Sequence, residues 1–103
     1  MTTDISAAEW TPFGHRVAEV IHFYKNDKRN VTARVGKVFP NAKVMEHDHP
    51  GGEEVLILDG VFKDQFGDGV PGTWLRYPIG LAHAPYTSDE GALIYIRDGD
   101  VRW

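Results

Sequence analysis

Cysteine is absent from the 103 residues. Disulfides, a thiolate nucleophile and every zinc site built on sulfur are thereby excluded. Runs of positive charge are missing too. The densest basic cluster, Lys25, Lys28 and Arg29, is interrupted by Asn26 and Asp27, and the net charge is −4. Phosphate-rich partners need a contiguous positive face, so neither nucleic acid nor an anionic membrane surface is expected as a partner. No apolar stretch approaches the roughly 20 residues of a membrane span, and Met1–Trp10 lacks the basic start and apolar centre of a signal peptide. A soluble, cytoplasmic chain is expected. Ser6 and Ser88 sit in no recognisable nucleophile elbow. The glycine-rich stretch Gly67-Asp-Gly69-Val-Pro-Gly72 lacks the Lys and Ser/Thr of a phosphate-binding loop.

Long helices are disfavoured as well, because eleven glycines and six prolines cut the chain into short pieces. Between them lie runs rich in β-branched and aromatic residues: Val17–Tyr24, Val31–Phe39, Ala42–His47, Glu53–Phe62, Thr73–Tyr77 and Ala92–Arg97. Short strands at this spacing predict an all-β sandwich or barrel in a single domain over residues 1–103. A helical turn is expected only at Asp4–Trp10, capped by Asp4 or Ser6. In Glu53–Phe62, Val55 and Ile57 share a face with Glu53, and Leu56 and Leu58 share the other. A strand apolar on both faces is covered on both, and a second copy of the chain is the natural cover, with a pairing sheet of the same chain as the alternative. A homodimer is expected.

The residues that carry chemistry are His47-Asp-His49-Pro-Gly-Gly-Glu53-Glu54. Alternation along an extended chain turns His47 and His49 to one face and Asp48 to the other. Pro50-Gly51-Gly52 bends the chain, and Glu53 then returns a carboxylate to the same side. Imidazole with carboxylate suits zinc, iron, manganese, nickel or copper. A second segment, Pro78-Ile-Gly80-Leu-Ala-His83-Ala-Pro85, offers one more imidazole just past a turn. Alone, His83 would read as a packed or solvent-facing residue; beside the first segment it reads as a ligand from a separate strand. His15 and His22 have no such spacing and read as surface or second-face residues. Phe62, Trp74, Tyr86 and Tyr95 are candidate pocket-lining aromatics, though core packing is their default. Arg76 is expected to pair with a carboxylate such as Asp64, and Asp98, Asp100 and Arg102 to form a solvated tail.

Asn41-x5-His47-x-His49-x3-Glu53-x6-Gly60 resembles the first cupin motif, and Gly72-x5-Pro78-x-Gly80-x2-His83 the second. The motifs occupy about residues 41–60 and 72–87. Gly51-Gly-Glu-Glu54, Gly60-Val-Phe62-Lys-Asp64 and Gly72-Thr-Trp-Leu-Arg76-Tyr-Pro78 narrow the resemblance to the ChrR-type cupin-like subfamily. Asn41 stands where the first motif has glycine, and Asn tolerates positive φ. Thr87 stands where the second motif closes on asparagine, a position that is not a ligand in the family. The resemblance implies a small cupin jelly-roll β-barrel binding one divalent ion (Zn, Fe, Mn or Ni) through His47, His49, Glu53 and His83. Glu54, the competing carboxylate, should face away.

Two activities follow from the resemblance. One is a metal-dependent dioxygenase, with two open positions on an octahedral ion for oxygen and a small chelating carbonyl compound. The other is a non-catalytic zinc module related to the cupin domain of an anti-sigma factor, its four ligands closed tetrahedrally. The anti-sigma relatives carry an additional helical zinc-binding part that this sequence lacks, so a free-standing domain is expected.

Overall fold

The computed structural model describes residues 2–103. Eight antiparallel strands run in order: β1 (Thr11–Phe13), β2 (Ala18–Asn26), β3 (Val31–Val38), β4 (Glu53–Gly60), β5 (Phe62–Asp64), β6 (Gly67–Gly69), β7 (Trp74–Tyr77) and β8 (Ala92–Asp98). No helix occurs among the described residues, so none is long and apolar enough to cross a membrane. The expected turn near the start is present, but as a turn only: Ala7 N–H donates to the Asp4 carbonyl and Ser6 N–H to Asp4 Oδ1. The Asp4 side chain spends itself on Ser6, and no run of i→i−4 bonds follows.

Six strands form one sheet in the order β1-β2-β3-β8-β4-β7. Its hydrogen-bonded ladder does not close on itself, so the expected barrel is a jelly-roll-like arrangement of two walls. The second wall is thinner. Ala42–His47 was expected to form a regular strand, but pairs only through isolated bridges, Lys43 with Tyr86 and His47 with His83. Tyr86 also bridges to Lys63 in β5, which pairs with β6. Asn41 opens this wall with φ of 56°, the left-handed turn its side chain tolerates. Thr87 closes it: its hydroxyl donates to the Phe39 carbonyl and accepts from Ala42 N–H.

Partners across an antiparallel ladder share a face, so the register sorts the inner side of the large sheet into rows. Three rows are largely apolar: Ala18, Val38 and Ala92; Val20, Gly36, Ile94 and Ile57; Arg34, Ile96, Val55 and Leu75. Val55 and Ile57 are each about 1% exposed, and burying such a side chain contributes about 1.5–3 kcal/mol. The fourth row is polar: Thr32, Asp98, Glu53 and Tyr77. Leu56 and Leu58 point outward as expected; Leu56 is half-buried and Leu58 exposed.

Candidate metal centre

The polar row meets the second wall where that wall carries its histidines. His47 and His83 exchange backbone hydrogen bonds, at 3.0 Å from His47 N to His83 O and 2.9 Å in return. That pairing sets both imidazoles on one face, with ring centroids 4.7 Å apart. His49, two residues on, brings its ring to 4.8 Å from His47 and 5.6 Å from His83. A tight turn then returns the chain to β4, with Gly52 N–H donating to the His49 carbonyl. Gly52 adopts φ of 76°, and a Cβ there would lie 2.4 Å from the Val101 carbonyl oxygen. Only glycine fits this turn.

Glu53, 5% exposed, enters between the rings. Its Oε2 lies 3.1 Å from His49 Nε2 and its Oε1 3.6 Å from His83 Nε2. The His49 Nε2 is 3.1 Å from that of His47 and 3.4 Å from that of His83. Each ring turns its other nitrogen towards an oxygen: His47 Nδ1 to the Met45 carbonyl at 2.8 Å, His49 Nδ1 to Asp98 Oδ1 at 3.2 Å, and His83 Nδ1 to Asp64 Oδ2 at 3.5 Å. With Nδ1 carrying the proton, three Nε2 lone pairs point at one another, an arrangement that calls for a cation between them. The side chains fit a metal ion. His47, His49 and His83 form one group able to hold it, and His49, Glu53 and Asp98 a second, overlapping group.

Burial, and then the neighbouring His47 and His49, push His83 down to about 4. Burial likewise lowers His49, against the opposing pull of Asp98. These imidazoles are therefore neutral at neutral pH, the form that binds metal. Glu53 moves the other way, raised by burial and by the Asp98 carboxylate beside it. Tyr77 is raised by burial and by Asp64, which accepts its hydroxyl at 2.5 Å. Its ring also packs on His83, with centroids 4.0 Å apart.

The structure thus brings His47, His49, Glu53 and His83 together and leaves His15 and His22 exposed and apart. Glu54 faces away, half-buried, with its Oε1 3.7 Å from Arg97. Two expectations are corrected. Arg76 does not pair with Asp64; it donates to the Arg102 carbonyl, and Asp64 takes Tyr77 instead. Asp98 is no part of a solvated tail, because its side chain is only 19% exposed and bound to Arg34 and Thr32. Asp98 lies outside both motifs, so nothing near it in sequence marks it; Asp64 and Tyr77 lie in the quoted segments, which assign them no role.

Beside the cluster lies a cavity of about 70 Å³, room for several water molecules. Its walls are mostly apolar, with Val17, Val20, Val38, Phe62, Ile94 and Ile96 among them, and its polar lining is Arg34, Glu53 and the three histidines. Of the candidate aromatics, only Phe62 is part of this wall; Trp74 and Tyr86 are exposed, and Tyr95 lies on the outer face.

An antiparallel two-walled roll with a histidine cluster at the end of one wall defines the cupin class. The chain belongs to the ChrR Cupin-like domain family, whose profile matches residues 1–102. Solved structures agree on the fold. An RmlC-like cupin from Ralstonia eutropha superposes with a TM-score of 0.83 at 16% identity, covering 93% of this chain and 66% of that one. An acetylacetone dioxygenase from Acinetobacter johnsonii gives 0.81 at 12%, covering 95% and 72%. The structure of Rhodobacter sphaeroides SigE in complex with the anti-sigma ChrR gives 0.78 at 19%, covering 92% of this chain and 51% of that one. The present chain therefore spans about half the length of that relative. A search of curated protein sequences returns no match.

Proposed function

We propose that His47, His49, Glu53 and His83 hold one divalent metal ion, and that the adjoining cavity takes a small chelating carbonyl compound for oxidation by dioxygen. The observation that carries this is the cavity itself: the cluster borders a half-open, mostly apolar space. A purely structural site has no use for such a space, whereas small-molecule sites are built this way. A redox-active ion such as Fe(II) would supply Lewis acidity and electrons for oxygen. The protein's own part is to keep the His49 and His83 imidazoles neutral, to set Glu53 against both of them, and to surround the ligand's hydrocarbon with Phe62, Val20 and Ile94. Residues 1–103 would act as one domain, paired with a second copy through the outer face that carries Leu56 and Leu58. The likeness to a fold seen with an anti-sigma factor, together with a donor set of four, favours a second reading as a closed zinc module.

Elemental analysis of protein purified without added metal tests the ligand set. About one ion per chain is expected, lost in His47→Ala, His49→Ala and His83→Ala but kept in His15→Ala and His22→Ala. Glu53→Ala should cost more occupancy than Glu54→Ala. A fully occupied His83→Ala variant would overturn the four-ligand arrangement. Iron-loaded protein that neither takes up oxygen nor changes its visible spectrum with a β-dicarbonyl would leave the zinc module standing.

A further inference from the structure

The two oxygens of Asp98 are differently engaged. Oδ2 accepts from Arg34 Nη2 at 3.0 Å and from Thr32 Oγ1 at 3.2 Å, both donors rising from β3. Oδ1 is buried and has no well-aligned hydrogen-bond donor, yet it lies 3.2 Å from His49 Nδ1. Leaving a buried acceptor unpaired is unfavourable, so a small rotation of the His49 ring that completes this bond is favoured. No other strand supplies a second acceptor to that nitrogen among the described contacts.

We infer that Asp98 is a positioning residue for His49: clamped by Arg34 and Thr32, it accepts the Nδ1 proton and so keeps Nε2 bare and aimed at His47, His83 and Glu53. The inference rests on the metal-centre reading above for its consequence, though not for its geometry. Register makes the clamp rigid. Asp98 pairs with Thr32 on one side and with Glu53 on the other, so three neighbouring strands hold it at a fixed height in the sheet. As a counter-ion for Arg34 alone, Asp98 would need only Oδ2. As a direct ligand it would have to leave the Nδ1 side of the ring, because what Nε2 holds lies on the opposite side. A carboxylate behind a ligating imidazole fixes its tautomer and raises its basicity, and its removal typically weakens metal binding 10–100-fold.

The test uses full-length protein labelled with ¹⁵N-histidine, read by long-range ¹H–¹⁵N correlation at neutral pH, with zinc affinity measured by chelator competition. His49 is expected as the Nδ1-protonated tautomer in both metal-free and zinc-loaded protein. Asp98→Asn and Asp98→Ala should lose that fixed tautomer and bind zinc about 10–100-fold more weakly. Thr32→Val, which frees one side of the clamp, should show a smaller loss in the same direction. Wild-type His49 carrying its proton on Nε2, or as a mixture, would overturn the inference. So would zinc affinities of both Asp98 variants within twofold of wild type. Wild-type protein that binds no zinc would refute the metal centre instead, while the tautomer of its His49 would still decide the role of Asp98. If Asp98→Ala does not fold, the wild-type tautomer and Asp98→Asn carry the test.

Discussion

Gly52 links the first two histidines to the carboxylate, and replacing it by Ala tests how far the site depends on that turn. At φ of 76° an added Cβ would lie 2.4 Å from the Val101 carbonyl oxygen, 2.7 Å from Val101 Cβ and 2.9 Å from the Tyr77 carbonyl oxygen. The Val101 carbonyl is not free to yield. The Val101 oxygen accepts from Ile79 N–H, while Val101 N–H donates to Gly51 and Gly99 N–H to Gly52 itself. The left-handed conformation alone costs a non-glycine residue about 1–2 kcal/mol. Relieving the overlap must loosen one or two of these bonds, each with a net worth of about 1 kcal/mol. A total of about 2–4 kcal/mol is expected, a large fraction of the stability of a domain this size. Gly80→Ala is the internal control. Its φ is 87°, but nothing lies within 4 Å of the added Cβ, so only the conformational cost of about 1–2 kcal/mol applies. Urea unfolding of the metal-free variants measures both. Because the shift must move His49 or Glu53, Gly52→Ala should also weaken zinc binding, and Gly80→Ala should not. Equal destabilisation of the two variants, or an unchanged zinc affinity in Gly52→Ala, would refute the close approach as the reason for glycine at 52.

Two further outcomes follow from burial. In chelator-treated protein, a His83 lowered from 6.5 to about 4 gives stability that is complete above pH 6.5 and lost as pH falls towards 4, about 3 kcal/mol in all. Glu53, raised above 4.5, acts with the opposite sign: its contribution is present at low pH and fades as pH rises. Unfolding free energies between pH 4.5 and 7.5 should therefore show a shallower acid loss in His83→Gln, and an unchanged slope would show that the ring is not buried and neutral. The outer face carrying Leu56, exposed Leu58 and Trp74 should pair two chains; light scattering at micromolar concentration giving 11.6 kDa rather than about twice that would reject the dimer.

The cluster of histidines and carboxylate was legible because most of it is local. His47, His49 and Glu53 lie within seven consecutive residues, and alternation plus one glycine turn is enough to bring them to one side. His83 needed the second motif, since its place opposite His47 is a pairing between distant segments. The strands β2, β3, β4, β7 and β8 were legible for the same local reason, through β-branched and aromatic runs, whereas the three-residue strands β1, β5 and β6 carry no such run. Ala42–His47 was harder: its composition suits a strand, but its wall is too thin to extend the ladder beyond isolated bridges. The pairing of Asp64 with Tyr77 rather than Arg76 turns on alternation along β7, which buries Tyr77 and sends Arg76 outward to the Arg102 carbonyl.

Asp98 shows where local reading stops. Its place behind His49 depends on β8 pairing with β4 so that Asp98 falls opposite Glu53, and that ladder contains a register shift between Ile57 and Asp59. One residue of slip would turn Asp98 to the outer face and leave Arg97 beside Glu53. The sheet therefore makes the site polar by the same rule that makes its core apolar. Inward positions repeat every second residue, and at one end of the sheet the inward residues of four neighbouring strands are Thr32, Asp98, Glu53 and Tyr77. Three of the four serve the histidine cluster: Glu53 touches it directly, Asp98 stands behind His49, and Tyr77 packs on His83 while donating to Asp64. Thr32 holds Asp98 in place. The register of the large sheet, as much as the motif on the smaller wall, thus determines which carboxylates stand behind the histidines.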